Sequence, residues 1–202
     1  MDKRNSHYRW LVFTSVLVTY LFMASQRTAP GLITAQLMND FNVTASTIGL
    51  LSSMQFFVYT SLQIPMGILA DRFGPNFFLI FGAALTGFGT ILYSVGTHEF
   101  ILLFARIITG IGDATIWVNM MLILAAWFHK KEFIRLVGLA GMTGSLGFLL
   151  ATVPFSLVIH TLGWRTAFFL LGSLLLFCSF VLYIVKIKKM KRHITAKETP
   201  LT

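Results

Sequence analysis

Six stretches of predominantly apolar residues, near 10–32, 46–69, 76–96, 100–128, 133–161 and 164–185, fill most of this 202-residue chain and decide what it can fold into. Each has the roughly 20 residues that an α-helix needs to cross a hydrocarbon core of about 30 Å. A backbone in lipid must satisfy its own hydrogen bonds, and the short alternating segments of a membrane barrel are missing, so the runs read as helices. The expected fold is all-α: a polytopic membrane protein with six transmembrane helices over 10–185, an N-terminal tail at 1–9 and a basic tail or linker at 186–202. Composition points the same way. With 56% hydrophobic and 11% charged residues and a mean hydropathy of +0.78, the chain is too apolar for an ordinary soluble domain.

Lysine and arginine sort to one side of these spans. Lys3, Arg4, Arg9, Arg72, Lys130, Lys131, Arg135 and the run from Lys186 to Lys197 share that side, and Arg165 stands alone on the other. The positive-inside rule then places both termini and the turn at Arg72 in the cytoplasm, as expected for a bacterial inner membrane. Met1 and its basic neighbours could open a signal peptide. No Ala-x-Ala-like site follows the first run, however, so it is read as a retained span. The net charge of +9 sits at run ends without interleaved aromatic patches, so the expected partner is the lipid bilayer and not nucleic acid. The basic run after residue 185 reads as a topology anchor or linker, with anionic lipid as its other use. Cys178 reads as a small buried hydrophobe. The histidines show no ligand spacing, and no Ser/His/Asp set lies within the spans. Neither a metal, nor a cofactor, nor an enzyme is expected.

Three charges lie inside spans, where they survive only facing protein or water: Arg27, Arg106 and Asp113. Counted along their helices, Arg27 lies roughly 25 Å from the inner edge and Arg106 roughly 9 Å from the outer edge. The two guanidiniums are thus expected at similar depth, separated by water, a carboxylate or an anionic ligand. Asp113 follows Arg106 by two turns, and Gly110 and Trp117 lie on the same stripe, which reads as a cavity wall. Tyr20, Gln55 and Tyr59 add polar groups to a shared cavity. Near mid-membrane, burial opposes the charge of Asp113 and an arginine supports it, which makes it a candidate proton carrier. The alternative is that Asp113 pairs with Arg27 or Arg106 to hold the bundle, and that Gln55, Tyr59 and Trp117 only pack between helices. In the fifth span, Gly138, Gly141, Gly144 and Gly147 form a small-residue face suited to close or sliding packing. Pro30 and Pro154 are expected kinks.

The most specific signal is the charged interruption at 67–76. Gly67, Asp71, Arg72 and Gly74 read as a tight loop between spans. It resembles the loop between the second and third helices of major facilitator superfamily transporters: Gly, three residues, Asp, Arg or Lys, any residue, Gly, then a basic pair. Pro75 and Asn76 replace that pair. Arg106, Gly110 and Gly112 are similar to the family's fourth-span pattern. Trp127-Phe128 and Gly163-Trp164-Arg165 stand where the family commonly has them, and Arg27-Thr28-Ala29-Pro30-Gly31 is similar to its organic-anion and sugar-phosphate branches. Gly144-Ser145-Leu146-Gly147 lacks the proline of the antiporter signature.

The resemblance covers nearly the whole chain but only the N-terminal half of a family member. It implies 3+3 inverted repeats and a substrate near the midplane between two halves. The expected function is secondary transport of a small organic anion, as symport by alternating access. In that reading Arg27 and Arg106 bind the anion, with Tyr20, Gln55, Tyr59 and Trp117 around it. Asp113 couples protons, and Gly67, Asp71, Arg72 and Gly74 gate the cytoplasmic side. The expected partner is a second six-helix half or a second copy of the chain. The other expectation is a truncated or split-gene fragment without transport of its own.

Overall fold

The computed structural model describes residues 8–198, with side chains to residue 185. The outer parts of both expected tails, 1–7 and 199–202, lie outside the described residues, as do the side chains of the basic run. Helix α1 (Tyr8–Thr28) passes through a 3₁₀ turn (Ala29–Ile33) into α2 (Thr34–Phe41). The change of pitch coincides with Pro30, which lacks the N–H of a regular helix. Then follow α3 (Ala45–Phe73), α4 (Pro75–Val95), α5 (Glu99–Trp127), α6 (Lys130–Leu162) and α7 (Trp164–Glu198). Pro154 lies inside α6, which stays one continuous helix.

Two expectations about boundaries change. The first span extends over Tyr8–Phe41 as one rod instead of 10–32. The loop expected at 67–76 shrinks to Gly74, because α3 carries Asp71 and Arg72 on its exposed last turn. The two charges interrupt the apolar run without interrupting the helix. Gly74 then turns the chain at φ +94°, a conformation that glycine adopts without steric cost. Among the described residues five helical rods are long and apolar enough to cross a membrane. Helix α3 has the length, about 43 Å, but Ser52, Ser53, Gln55, Thr60, Ser61 and Gln63 dilute its apolar character.

Packing follows a pseudo-twofold pattern. Helix α1 lies against α6 and α7, as α5 lies against α3 and α4, and α4 meets α7. Exchanging the first three spans with the last three maps these main contacts of α1 onto those of α5 and the α4–α7 contact onto itself, which is the pairing of a 3+3 repeat. Glycines set the closest approaches. A Cβ on Gly82 of α4 would lie 1.7 Å from Thr115 Oγ1 and 2.8 Å from the Gly112 carbonyl of α5. One on Gly147 of α6 would lie 2.5 Å from the Leu21 carbonyl of α1, and there Ser25 Oγ donates to the Gly147 carbonyl at 2.8 Å. Gly144 abuts Tyr20, but Gly138 and Gly141 face open space, so only half of the expected glycine face packs within this bundle.

The two ends of the bundle are pinned differently. At the basic end Arg9 forms a two-pronged pair with Glu132, both contacts 2.9 Å, and the Tyr8 hydroxyl donates to the Val185 carbonyl. At the other end Trp164 Nε1 donates to Asp40 Oδ2 at 2.8 Å, and Arg165 Nη1 donates to the Gly96 carbonyl at 2.7 Å. One apolar cluster, around Val16, Leu79, Met120 and Leu175, fills the basic end; another, around Leu37, Tyr93, Leu102 and Phe168, fills the opposite end. A polar layer lies between them.

Candidate functional site

Four helices bring the layer together. Helix α1 contributes Gln26 and Arg27, α3 contributes Gln55 and Tyr59, α4 contributes Thr86 and Tyr93, and α5 contributes Arg106 and Asp113. Arg27 Nε donates to Asp113 Oδ2 at 3.1 Å, and Gln55 Nε2 donates to the same oxygen at 3.0 Å. Gln55 Nε2 also reaches Gln26 Oε1 at 3.2 Å, while Gln55 Oε1 accepts from Arg106 Nη1 at 2.8 Å. A guanidinium needs an acceptor and a carboxylate needs a donor, so only this amide orientation serves both neighbours. Asp113 Oδ1 is held more loosely, by Thr86 Oγ1 at 3.4 Å.

Burial separates the two arginines. Arg106 is 1% exposed, its guanidinium carbon 4.0 Å from the Tyr93 ring centroid, and its Nε and Nη2 have no hydrogen-bond partner among the described residues. The π face of Tyr93 supports the charge in place of a carboxylate. The Arg27 side chain keeps 16% of its surface beside an Asp113 side chain that keeps none. The Tyr59 ring lies 4.6 Å from the Arg27 guanidinium carbon, and Gln63 Nε2 donates to the Tyr59 hydroxyl at 3.2 Å. Arg27 Nη1 and Nη2 have no partner among the described residues. One to two turns toward the basic end, the half-buried rings of Tyr20 and Trp117 meet with centroids 5.5 Å apart.

The expected stripe of Arg106, Gly110, Asp113 and Trp117 is therefore not one cavity wall. The bare backbone at Gly110 admits α3, and a Cβ there would come within 2.8 Å of the Gln55 carbonyl. Helix α3 thereby seals Arg106 behind Gln55. The two guanidiniums do have a carboxylate between them, and an amide beside it. Gln26, Thr86 and Tyr93 join the network without having been singled out. Gln26 was legible as a polar neighbour of Arg27 inside an apolar run, whereas threonine and tyrosine are too ordinary in membrane spans to signal anything alone.

At the basic end, Gly67 packs against Val118 of α5. Asp71 and Arg72 are exposed, and the Arg72 guanidinium lies 5.6 Å from the Phe73 ring centroid. Asp71 has no ion pair among the described residues, neither with Arg72 nor with the basic residues at 130–135. No group of three or more His, Cys, Asp or Glu side chains is gathered for a metal among the described residues.

A family model described as Major Facilitator Superfamily matches residues 13–201. The chain is 27% identical to an ascorbate transporter of Arabidopsis thaliana chloroplasts, over 82% of this chain and 31% of that protein. It is 24% identical to a probable sulfoacetate transporter, SauU, of Cupriavidus necator, over 85% of this chain and 40% of that one. A bacterial homolog of the human lysosomal transporter Spinster, solved inward-facing and unoccupied, superposes with a TM-score of 0.82 at 18% identity, covering 90% of this chain and 43% of that one. The chain thus spans less than half the length of each of these proteins.

Proposed function

The chain belongs to the major facilitator superfamily of membrane transporters, and from that premise we propose that it is the N-terminal half of a carrier that moves a small organic anion by alternating access. The observation that carries this reading is the free fork of Arg27. Its Nε is engaged by Asp113, its face rests on Tyr59, and its two terminal nitrogens are unspent in a partly open position among buried neighbours. A planar fork of N–H donors matches the paired oxygens of a carboxylate, sulfonate or phosphate. Sulfoacetate, named for one of the relatives, carries two such groups, and ascorbate, named for another, is an enolate anion.

In this reading Arg27 holds the anion, while Tyr59, Tyr20 and Trp117 line its approach. Gln55 and Arg106 act from behind as buried support. Asp113, beside the bound anion, is the group that carries the coupled proton, giving symport. A second six-helix bundle, encoded separately, continuous with this one or supplied by a second copy, closes the site. Its contact with Gly67, Asp71, Arg72 and Gly74 gates the cytoplasmic side of an inner membrane, with both termini on that side. The unpaired, exposed Asp71 is suited to a positive partner across such an interface.

Uptake into vesicles containing the assembled carrier tests the proposal. Arg27→Ala should abolish uptake of anions, and Arg27→Lys, which keeps the charge but loses the fork, should reduce it at least tenfold. Unchanged uptake of every anionic substrate by both variants would remove the basis for the reading.

A further inference from the structure

The charges of the polar layer do not cancel. Arg27 and Arg106 enter it with one carboxylate, Asp113, and the other acidic side chains described, Asp40, Asp71, Glu99 and Glu132, sit near helix ends away from it. Asp113 is faced by Arg27 and, further along α1, Tyr20, by Gln55 and Tyr59 from α3, by Thr86 from α4, and by Arg106 of its own helix through Gln55. None of these supplies a second negative charge at neutral pH. With Asp113 ionised, the layer therefore holds one positive charge in excess, and with Asp113 protonated it holds two. Buried charge without a counter-charge is costly, so the charge of the ligand and the proton on Asp113 must be linked.

We propose that the site reads the valence of its anion through Asp113. A monoanion on the Arg27 fork neutralises the layer with Asp113 ionised. A dianion neutralises it only after Asp113 has taken a proton from the solvent, so a dianionic ligand binds with about one proton more than a monoanionic one. The geometry provides a place for that proton. Oδ2 is occupied as an acceptor by Arg27 and Gln55, whereas Oδ1 meets only the Thr86 hydroxyl. An O–H formed at Oδ1 can donate to Thr86 Oγ1 while Oδ2 keeps both of its donors, so protonation requires no rearrangement of the arginine. This inference rests on the reading of the chain as an anion carrier and adds a charge rule to it.

Ethanesulfonate and 1,2-ethanedisulfonate are suitable probes, since neither titrates between pH 6 and 8 and they differ by one charge on the same carbon skeleton. Binding to the full chain in lipid nanodiscs is measured by calorimetry in buffers of different ionisation enthalpy, which gives protons taken up per anion bound. The expected uptake at pH 8 is about one proton greater for the disulfonate than for the monosulfonate, with disulfonate affinity falling by about tenfold more per pH unit as pH rises. Asp113→Asn should remove this difference and bind the disulfonate independently of pH. Thr86→Val, which removes the acceptor for the proton, should shrink the difference in proton uptake between the disulfonate and ethanesulfonate. Equal proton uptake and equal pH slopes for the two anions in the unaltered chain would overturn the valence rule and leave the anion reading standing. Failure of both anions to bind, together with unchanged uptake in the Arg27 variants, would overturn both.

Discussion

At the scale of single residues, the two arginines that look alike in the sequence have opposite physical roles. Asp113 lies between the partly open fork of Arg27 and the amide that caps Arg106, so its removal leaves two guanidiniums without a carboxylate. Asp113→Asn is expected to destabilise the bundle by about 2–4 kcal/mol, read from thermal unfolding in detergent. Arg106 is the reverse case. It is the surplus charge, sealed against Tyr93 with two nitrogens unpaired, and Arg106→Met replaces it with an apolar chain of similar reach. That substitution should leave stability within about 1 kcal/mol or raise it. A large loss of stability would mean that Arg106 is held by something stronger than one amide and one ring. The three embedded charges were legible because a charge in an apolar run is conspicuous. Their division of labour was not, because it depends on which helix lies over Gly110, and no spacing within α5 encodes that.

At the scale of elements, helix ends and glycine contacts carry the specificity. Gly74 is the whole connection between α3 and α4 and sits at φ +94°. Gly74→Ala should therefore cost about 1–3 kcal/mol in strain, measured as a lowered unfolding midpoint. The glycines offer an internal control. Gly82→Ala puts a Cβ into Thr115 and the Gly112 backbone and is expected to cost about 1–3 kcal/mol, whereas Gly141→Ala meets nothing within 4 Å and should be neutral within about 0.5 kcal/mol or slightly stabilising. Equal effects at the two sites would contradict the packing described. The six helical runs were readable from length and apolarity alone, and their ends mostly fell within a few residues. Besides the longer first span, the reading departed at 67–76, where charged residues break the apolar run but the helix ends on a backbone requirement at Gly74. The fifth-span glycines drew attention by their regular spacing, yet the tightest approach runs from Gly82 of α4 to Thr115 of α5, which no repeat within one helix could reveal.

For the whole molecule, the contact pattern makes the first helix depend on the last two. Arg9 and Glu132 are 123 positions apart, Ser25 and Gly147 are 122 apart, and Tyr8 and Val185 are 177 apart. Helices α4 and α5, by contrast, pack on their sequence neighbour. During synthesis the first span must therefore wait in lipid or against the insertion machinery, its Arg27 without a carboxylate until the fourth span arrives and its apolar face uncovered until the fifth and sixth do. A photo-reactive side chain at the buried Val16 should then cross-link lipid or the insertion machinery in short nascent chains that end before α4, and α4, α5 or α7, whose Leu79, Ile123 and Leu182 line the same cavity, once the full chain is released. The tie from Tyr8 to Val185 is in this sense a completion signal: the first helix becomes committed only when the sixth span has been made, so an interrupted chain remains open to capture by quality control.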